Sequence, residues 1–215
     1  MSSDPIVSSA TRRGLLIVLS APSGAGKSTL VAELRARNPL IDFSVSTTTR
    51  PLRGREQDGV DYHFTDEKTF LRMIENGEFV EHAVVHGNHY GTTRKTIERS
   101  LTAGRDILLD IDVQGAAQIR EALPRTRMAF PAIFIFVAPP SLAILEERLR
   151  KRGTDSDEVI RRRLVNAEKE MARSGEYDHV VVNDTVEEAT ARLEAIIATA
   201  RLDAIRRAVA RRPPA

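Results

Sequence analysis

A continuous apolar run, Leu15–Ser20 (LLIVLS), leads straight into Ala21-Pro22-Ser23-Gly24-Ala25-Gly26-Lys27-Ser28-Thr29. Behind it, Leu30, Val31 and Leu34 recur at helical spacing until Pro39 stops the pattern. No other feature limits the fold as tightly. An uninterrupted apolar run of this length reads as a strand covered on both faces. The six residues after it, Ala21–Gly26, read as a turn from strand to a helix over Lys27–Asn38. Gly24 and Gly26 allow that turn to aim its backbone N–H groups inward around an anion. The helix N-terminus adds its dipole to the same place.

The stretch fits the phosphate-loop pattern G-x-x-x-x-G-K-[ST] at every fixed position but the first, where Ala21 stands. Alanine needs only an ordinary strand-exit conformation, so the departure weakens the pattern more than the physics. The spacing lets the Lys27 ammonium reach β- and γ-phosphates and the Ser28 hydroxyl ligate Mg²⁺. A plain glycine-rich turn is the rival reading. The preceding strand and the register of Gly26-Lys27-Ser28 disfavour it.

Apolar strands alternate with helical stretches over residues 15–38, 107–122 and 133–151, and again from Val180 to the final helix beginning at Val186. This pattern predicts an α/β fold with a parallel sheet flanked by helices. Residues 43–95 interrupt it. They read as a strand over Phe43–Thr48, a charged loop, a helix capped by Thr65, a strand over Phe79–Val85 and a turn at His86-Gly87-Asn88, hence an inserted subdomain. A helix over Thr96–Ala103 is followed by a strand over Ile107–Ile111 and a helix starting near Gly115. Two charged helices, Ser141–Lys151 and Asp157–Arg173, lie on either side of Gly153.

Among 215 residues there is no cysteine, which excludes disulfides, thiolate catalysis and Cys-ligated metals. No apolar run approaches bilayer length and no basic–apolar leader opens the chain, so a cytoplasmic location is expected. Net charge is +2, but Arg201, Arg206, Arg207, Arg211 and Arg212 crowd the C-terminus against Asp203 alone. The body is therefore slightly acidic, unlike a nucleic-acid platform. His63, His82, His86, His89 and His179 show no metal-ligand spacing and read as structural.

Asp112-Val113-Gln114-Gly115 has the D-x-x-G form of a GTPase switch, yet no N-K-x-D guanine motif occurs; Asn183-Asp184 lacks its lysine. Asp110 and Asp112 end a buried strand and are expected on one face, because strand side chains alternate. At the carboxyl end of a parallel strand they would face a nucleotide crevice. One could hold Lys27 or metal-bound water, and the other a substrate; the residues alone do not separate the roles.

The most specific stretch is Ser46-Thr47-Thr48-Thr49-Arg50-Pro51-Leu52-Arg53-Gly54-Arg55-Glu56-Gln57-Asp58-Gly59-Val60-Asp61-Tyr62. It resembles the S-x-T-T-R-x-x-R-x-x-E-x-x-G-x-x-Y segment of guanylate kinases, with each fixed position filled. The resemblance continues at Gly77–Glu81, Gly87–Thr92, Leu109–Gly115, Arg148–Arg163 and Asn183-Asp184, over roughly residues 14–200. It implies the phosphate-loop nucleoside monophosphate kinase fold. The implied organisation is a disordered segment 1–12, a domain 13–205 and a flexible basic tail 206–215. Within the domain the core is 13–42, 97–139 and 176–205, the GMP-binding subdomain 43–96, and a helical lid 140–175.

By the same resemblance, Ser46, Arg50, Arg53, Tyr62 and Tyr90 grip the GMP phosphate, with Glu56 orienting an arginine. Glu81 accepts the N1–H and N2–H₂ donors of guanine, Thr92 stands at the base edge, and Asp112 is the favoured further GMP contact. Adenine would set an acceptor against Glu81, which is how one carboxylate rejects it. ATP is expected on Ala21–Thr29, with Arg148 beside it and Asn183 near adenine; Asp110 is placed with Ser28 at the metal through water. Lys27, Arg53, Arg152 and Arg163 are implied to neutralise charge in phosphoryl transfer, with Mg²⁺ as cofactor. The expected partners are the small molecules ATP and GMP, with neither nucleic acid nor membrane. A non-catalytic relative that binds phosphopeptides is the main rival. Such modules lose the loop and the lid arginines that are present here.

Overall fold

The computed structural model describes residues 14–210, apart from 86, 124–129 and 154. The expected disordered N-terminus, His86 and the last five residues of the expected tail lie outside these described residues.

The core is a five-stranded parallel sheet. In chain order its strands are β1 (Leu16–Ser20), β2 (Ile41–Phe43), β7 (Asp106–Asp110), β8 (Ala132–Ala138) and β9 (His179–Val182), arranged β2-β7-β1-β8-β9. Every residue of β1 is buried, as expected of a central strand with helices on both faces. Leu19, Ala25, Leu30, Leu34, Ile135 and Leu193 close one face; Leu16, Val18, Ile97, Leu101, Leu109 and Ile119 close the other.

The helices around this sheet are α1 (Lys27–Arg37), α3 (Arg94–Thr102), α4 (Val113–Ala122) and α7 (Val186–Ala210). The buried Asp106 carboxylate accepts Leu15 N–H at 2.8 Å and pairs with Arg201, tying α7 to the start of β7. Helix α7 continues to Ala210, so the first five residues assigned to a flexible tail are helical.

The inserted subdomain carries a second sheet. It comprises β3 (Thr47–Thr48), β4 (His63–Phe64), β5 (Phe79–Val85) and β6 (Asn88–Thr93), in the order β4-β3-β6-β5, with α2 (Glu67–Glu75) beside it. Phe70 and Phe79 stack at 4.5 Å beneath it. The single strand expected over Phe43–Thr48 is thus two, one in each sheet, because the chain leaves β2 to enter the subdomain. Helix α2 is capped by Asp66, not Thr65: the Asp66 carboxylate accepts Thr69 N–H at 2.8 Å. Helix α3 begins at Arg94, two residues before the expected start.

A helical hairpin, α5 (Leu142–Lys151) and α6 (Asp157–Ala172), closes around Leu145, Leu149, Ile160 and Ala167. It occupies the segment read as a lid.

Candidate active site

The loop between β1 and α1 takes the conformation that its glycines permit. Gly24 has φ 95° and Gly26 φ 90°, where a side chain is strained. A β-carbon at Gly24 would stand 2.7 Å from Leu149 Cδ2 of α5, and one at Gly26 would stand 2.5 Å from Asn183 Nδ2. Gly26 caps α1 without any side-chain hydrogen bond, leaving the helix N-terminus open to an anion. Ser28 and Thr29 are exposed there, while Ala21 and Ala25 are buried supports. Pro22 O accepts Ala25 N–H at 3.0 Å and closes the loop.

Lys27 sets the crevice. Its ammonium pairs with Asp110 at 2.5 Å and donates to Ile111 O at 2.7 Å. Asp110 ends β7, beside the loop. Asp112 does not share its strand face. The strand stops at Asp110, and Asp112 becomes the N-cap of α4, its Oδ1 accepting Gly115 N–H at 2.8 Å. Strand alternation ends two residues short of Asp112, too early for the expected pairing.

Buried Arg50 organises the subdomain side. Its guanidinium donates to Glu56 Oε1 at 2.7 Å and to Pro51 O at 2.8 Å. It also lies 5.2 Å from the Tyr62 ring centroid, and Tyr62 and Tyr90 pack edge-on at 5.9 Å. Glu56 keeps its second oxygen on Arg53 N–H at 2.9 Å. The Arg50 hydrogen bond, then that backbone bond, hold the Glu56 carboxyl below its usual range. Burial pushes the Tyr62 hydroxyl up. The Arg53 side chain is exposed, and Ser46 is half-buried at the start of β3.

Glu81, on β5, is 6% exposed. Thr92 Oγ1, from the neighbouring β6, donates to Glu81 Oε1 at 2.6 Å. Burial pushes the Glu81 carboxyl up to about 7; the Thr92 bond opposes this and the Asp112 charge adds to it. Such a group favours a ligand that donates hydrogen bonds to it.

The hairpin leans on the loop from the other side. Arg163 reaches Ser23 Oγ at 3.4 Å and Asp155 at 3.4 Å. Arg148 donates to Asn183 O at 2.9 Å and to Ala25 O at 3.4 Å. Buried Asn183 donates to the same Ala25 carbonyl at 2.7 Å, so both residues brace the loop from beneath. Arg152 is exposed at the end of α5. Two residues were missed from sequence. Glu170 of α6 accepts Ser23 N–H, and burial, then the Asp112 charge, raises its pKa. Gln118 of α4 bonds to β5. Neither stands in a recognisable motif, because each takes its meaning from a main-chain partner far along the chain.

An anion-binding loop, a cationic cluster across the crevice and a buried carboxylate beside it define a phosphate-loop kinase of nucleoside monophosphates. The guanylate kinase family profile matches residues 13–200. A guanylate kinase of Anaeromyxobacter dehalogenans is 54% identical over 88% of this chain and 82% of its own length. One from Desulfotalea psychrophila is 49% identical over 86% and 89%. The crystal structure of guanylate kinase from Anaplasma phagocytophilum superposes with a TM-score of 0.70 at 36% identity, covering 90% of this chain and 89% of that one. The chain belongs to the guanylate kinase family.

Proposed function

We propose that this chain transfers the γ-phosphoryl group of ATP to GMP, and to dGMP, giving ADP and the nucleoside diphosphate. The reading rests above all on one observation: buried Glu81, held by Thr92, lies beside Asp112 and on the same subdomain as the Arg50–Tyr62–Tyr90 cluster. A purine that offers two adjacent N–H donors satisfies that carboxylate, while its phosphate meets the cations.

ATP phosphates lie on Ala21–Thr29, with Lys27 held toward them by Asp110. Ser46, Arg50, Arg53, Tyr62 and Tyr90 take the GMP phosphate; Glu56 aims Arg50 and steadies the Arg53 main chain. A GMP phosphate oxygen is already nucleophilic, so no strong general base is required. Catalysis is alignment and charge neutralisation by Lys27, Arg53, Arg152 and Arg163. Arg148 and Asn183 shape the ATP side by bracing Ala25. Closing the hairpin excludes water and limits wasteful hydrolysis.

Among the described residues no group of three or more His, Asp or Glu side chains could hold a metal by itself. The exposed Ser28 hydroxyl, one residue after the Lys27 that Asp110 holds, fits instead a Mg²⁺ that would arrive on the nucleotide, with Ser28 as a ligand and Asp110 reached through water. Bound so, the ion neutralises phosphate charge. No helix among the described residues is long and apolar enough to cross a membrane. We assign the activity to the cytoplasm, with nucleotides as its partners.

The test is coupled ADP release with ATP and GMP, AMP, UMP or dTMP. GMP turnover well above the rest is expected; activity with all four, or none, overturns the reading.

A further inference from the structure

Strand β5 is an edge: among the described strands it pairs with β6 alone. An edge strand presents alternate N–H and C=O groups without a strand partner. At His82 one side chain takes both. Gln118 donates Nε2–H to His82 O at 2.9 Å, and its Oε1 accepts His82 N–H at 3.1 Å. A primary amide carries donor and acceptor in one plane, so it can stand in for a neighbouring strand residue.

The two ends of this clamp belong to different parts of the molecule. Gln118 is on α4, packed against the core sheet, and His82 is in the inserted subdomain. Glu81 is the residue immediately before His82. One turn earlier on α4, Gly115 leaves the space in which the Glu81 carboxylate lies; a β-carbon there would be 2.7 Å from Oε2. One helix face therefore fixes the β5 main chain with Gln118 and makes room for the acidic group with Gly115.

We propose that Gln118 is a positioning residue for base recognition: its paired bonds to His82 set the depth and angle at which Glu81 meets the purine. The proposal rests on the reading of Glu81 as the guanine contact. Gln118 and His82 are both exposed, so water replaces both bonds if the clamp opens and global stability changes little. What is lost is the position of Glu81.

The test is steady-state kinetics on Gln118→Ala and Gln118→Glu with GMP, IMP and ATP varied in turn, alongside thermal melts. IMP keeps the N1–H donor and lacks the 2-amino group, so the GMP/IMP ratio of kcat/KM reads how well Glu81 is placed. For Gln118→Ala we expect KM for GMP to rise about tenfold, the GMP/IMP ratio to fall, and kcat and KM for ATP to hold. Gln118→Glu keeps the size but sets an acceptor against His82 O, and should do no better. A lowered melting temperature with KM and the ratio unchanged makes the clamp merely structural and overturns the proposal. Glu81→Gln is the control. If it moves the GMP/IMP ratio and Gln118→Ala does not, the clamp fails alone; if Glu81→Gln leaves the ratio unmoved, the reading of Glu81 fails and the clamp with it.

Discussion

Gly115 and Glu81 share one space: the β-carbon that Gly115 lacks would lie 2.7 Å from Glu81 Oε2 and 3.2 Å from its carboxyl carbon. Glu81 is buried and its other oxygen is held by Thr92, so it has little room to retreat. Replacing Gly115 by alanine should favour the helix by about 1 kcal/mol while displacing the carboxylate. The expected outcome is a melting temperature lowered by a few degrees, because the overlap outweighs the helix gain, with KM for GMP up about tenfold. Kinetics and a thermal melt on Gly115→Ala check it; an unchanged KM contradicts it.

Protonation of Glu81 should govern substrate affinity. Its folded pKa is raised to about 7 from the usual 4.5. For a raised carboxyl the neutral form suits the folded state, so its stabilising contribution is present below pH 4.5 and is lost as pH rises through 7 in the ligand-free protein. Guanine donors need the ionised form, so GMP binding releases this proton. KM for GMP should fall by about tenfold between pH 6 and 8, as one group ionises. GMP's own phosphate titrates nearby; Glu81→Gln separates the two, since only the phosphate's contribution should survive in it.

Lys27→Ala removes the cation that Asp110 holds at the loop. We expect kcat to drop by on the order of 10³-fold. Folding should persist, as Lys27 lies at the start of α1 and outside the core. Single-turnover ADP formation and circular dichroism measure the two effects.

Glu56→Ala would leave the Arg50 guanidinium, only 6% exposed, without its counter-charge. The melting temperature should fall by a few degrees. Saturating GMP should raise it by more than in the parent, because the substrate phosphate supplies the missing anion. Equal GMP-induced shifts in both proteins would remove Arg50 from the phosphate site.

The sheet was the most legible part of the sequence. LLIVLS and AIFIFVA are buried on both faces, so their composition carries the signal. Strand β6, Asn88–Thr93, gave no such signal. Its sequence NHYGTT is polar, because Tyr90 and Thr92 point to the site and Gly91 leaves room for Phe79. Asp112 was misplaced because alternation was carried two residues past the last paired residue, Asp110. The grouping of Arg50, Glu56, Tyr62 and Tyr90 was readable from a motif. The contact of Glu170 with Ser23 was not, since a carboxylate on a charged helix looks the same in solution or against a loop.

Among the described strands, the central one is also the earliest. β1 lies between β7 and β8, and Leu15 must wait 91 residues for its partner Asp106. During synthesis, LLIVLS therefore leaves the ribosome with neither neighbour yet made. It stays an apolar, strand-prone segment exposed to other chains until β7 and β8 follow. The arrangement that later buries the phosphate loop's root most deeply thus sets the interval in which a nascent chain is most open to aggregation, or to capture by a chaperone.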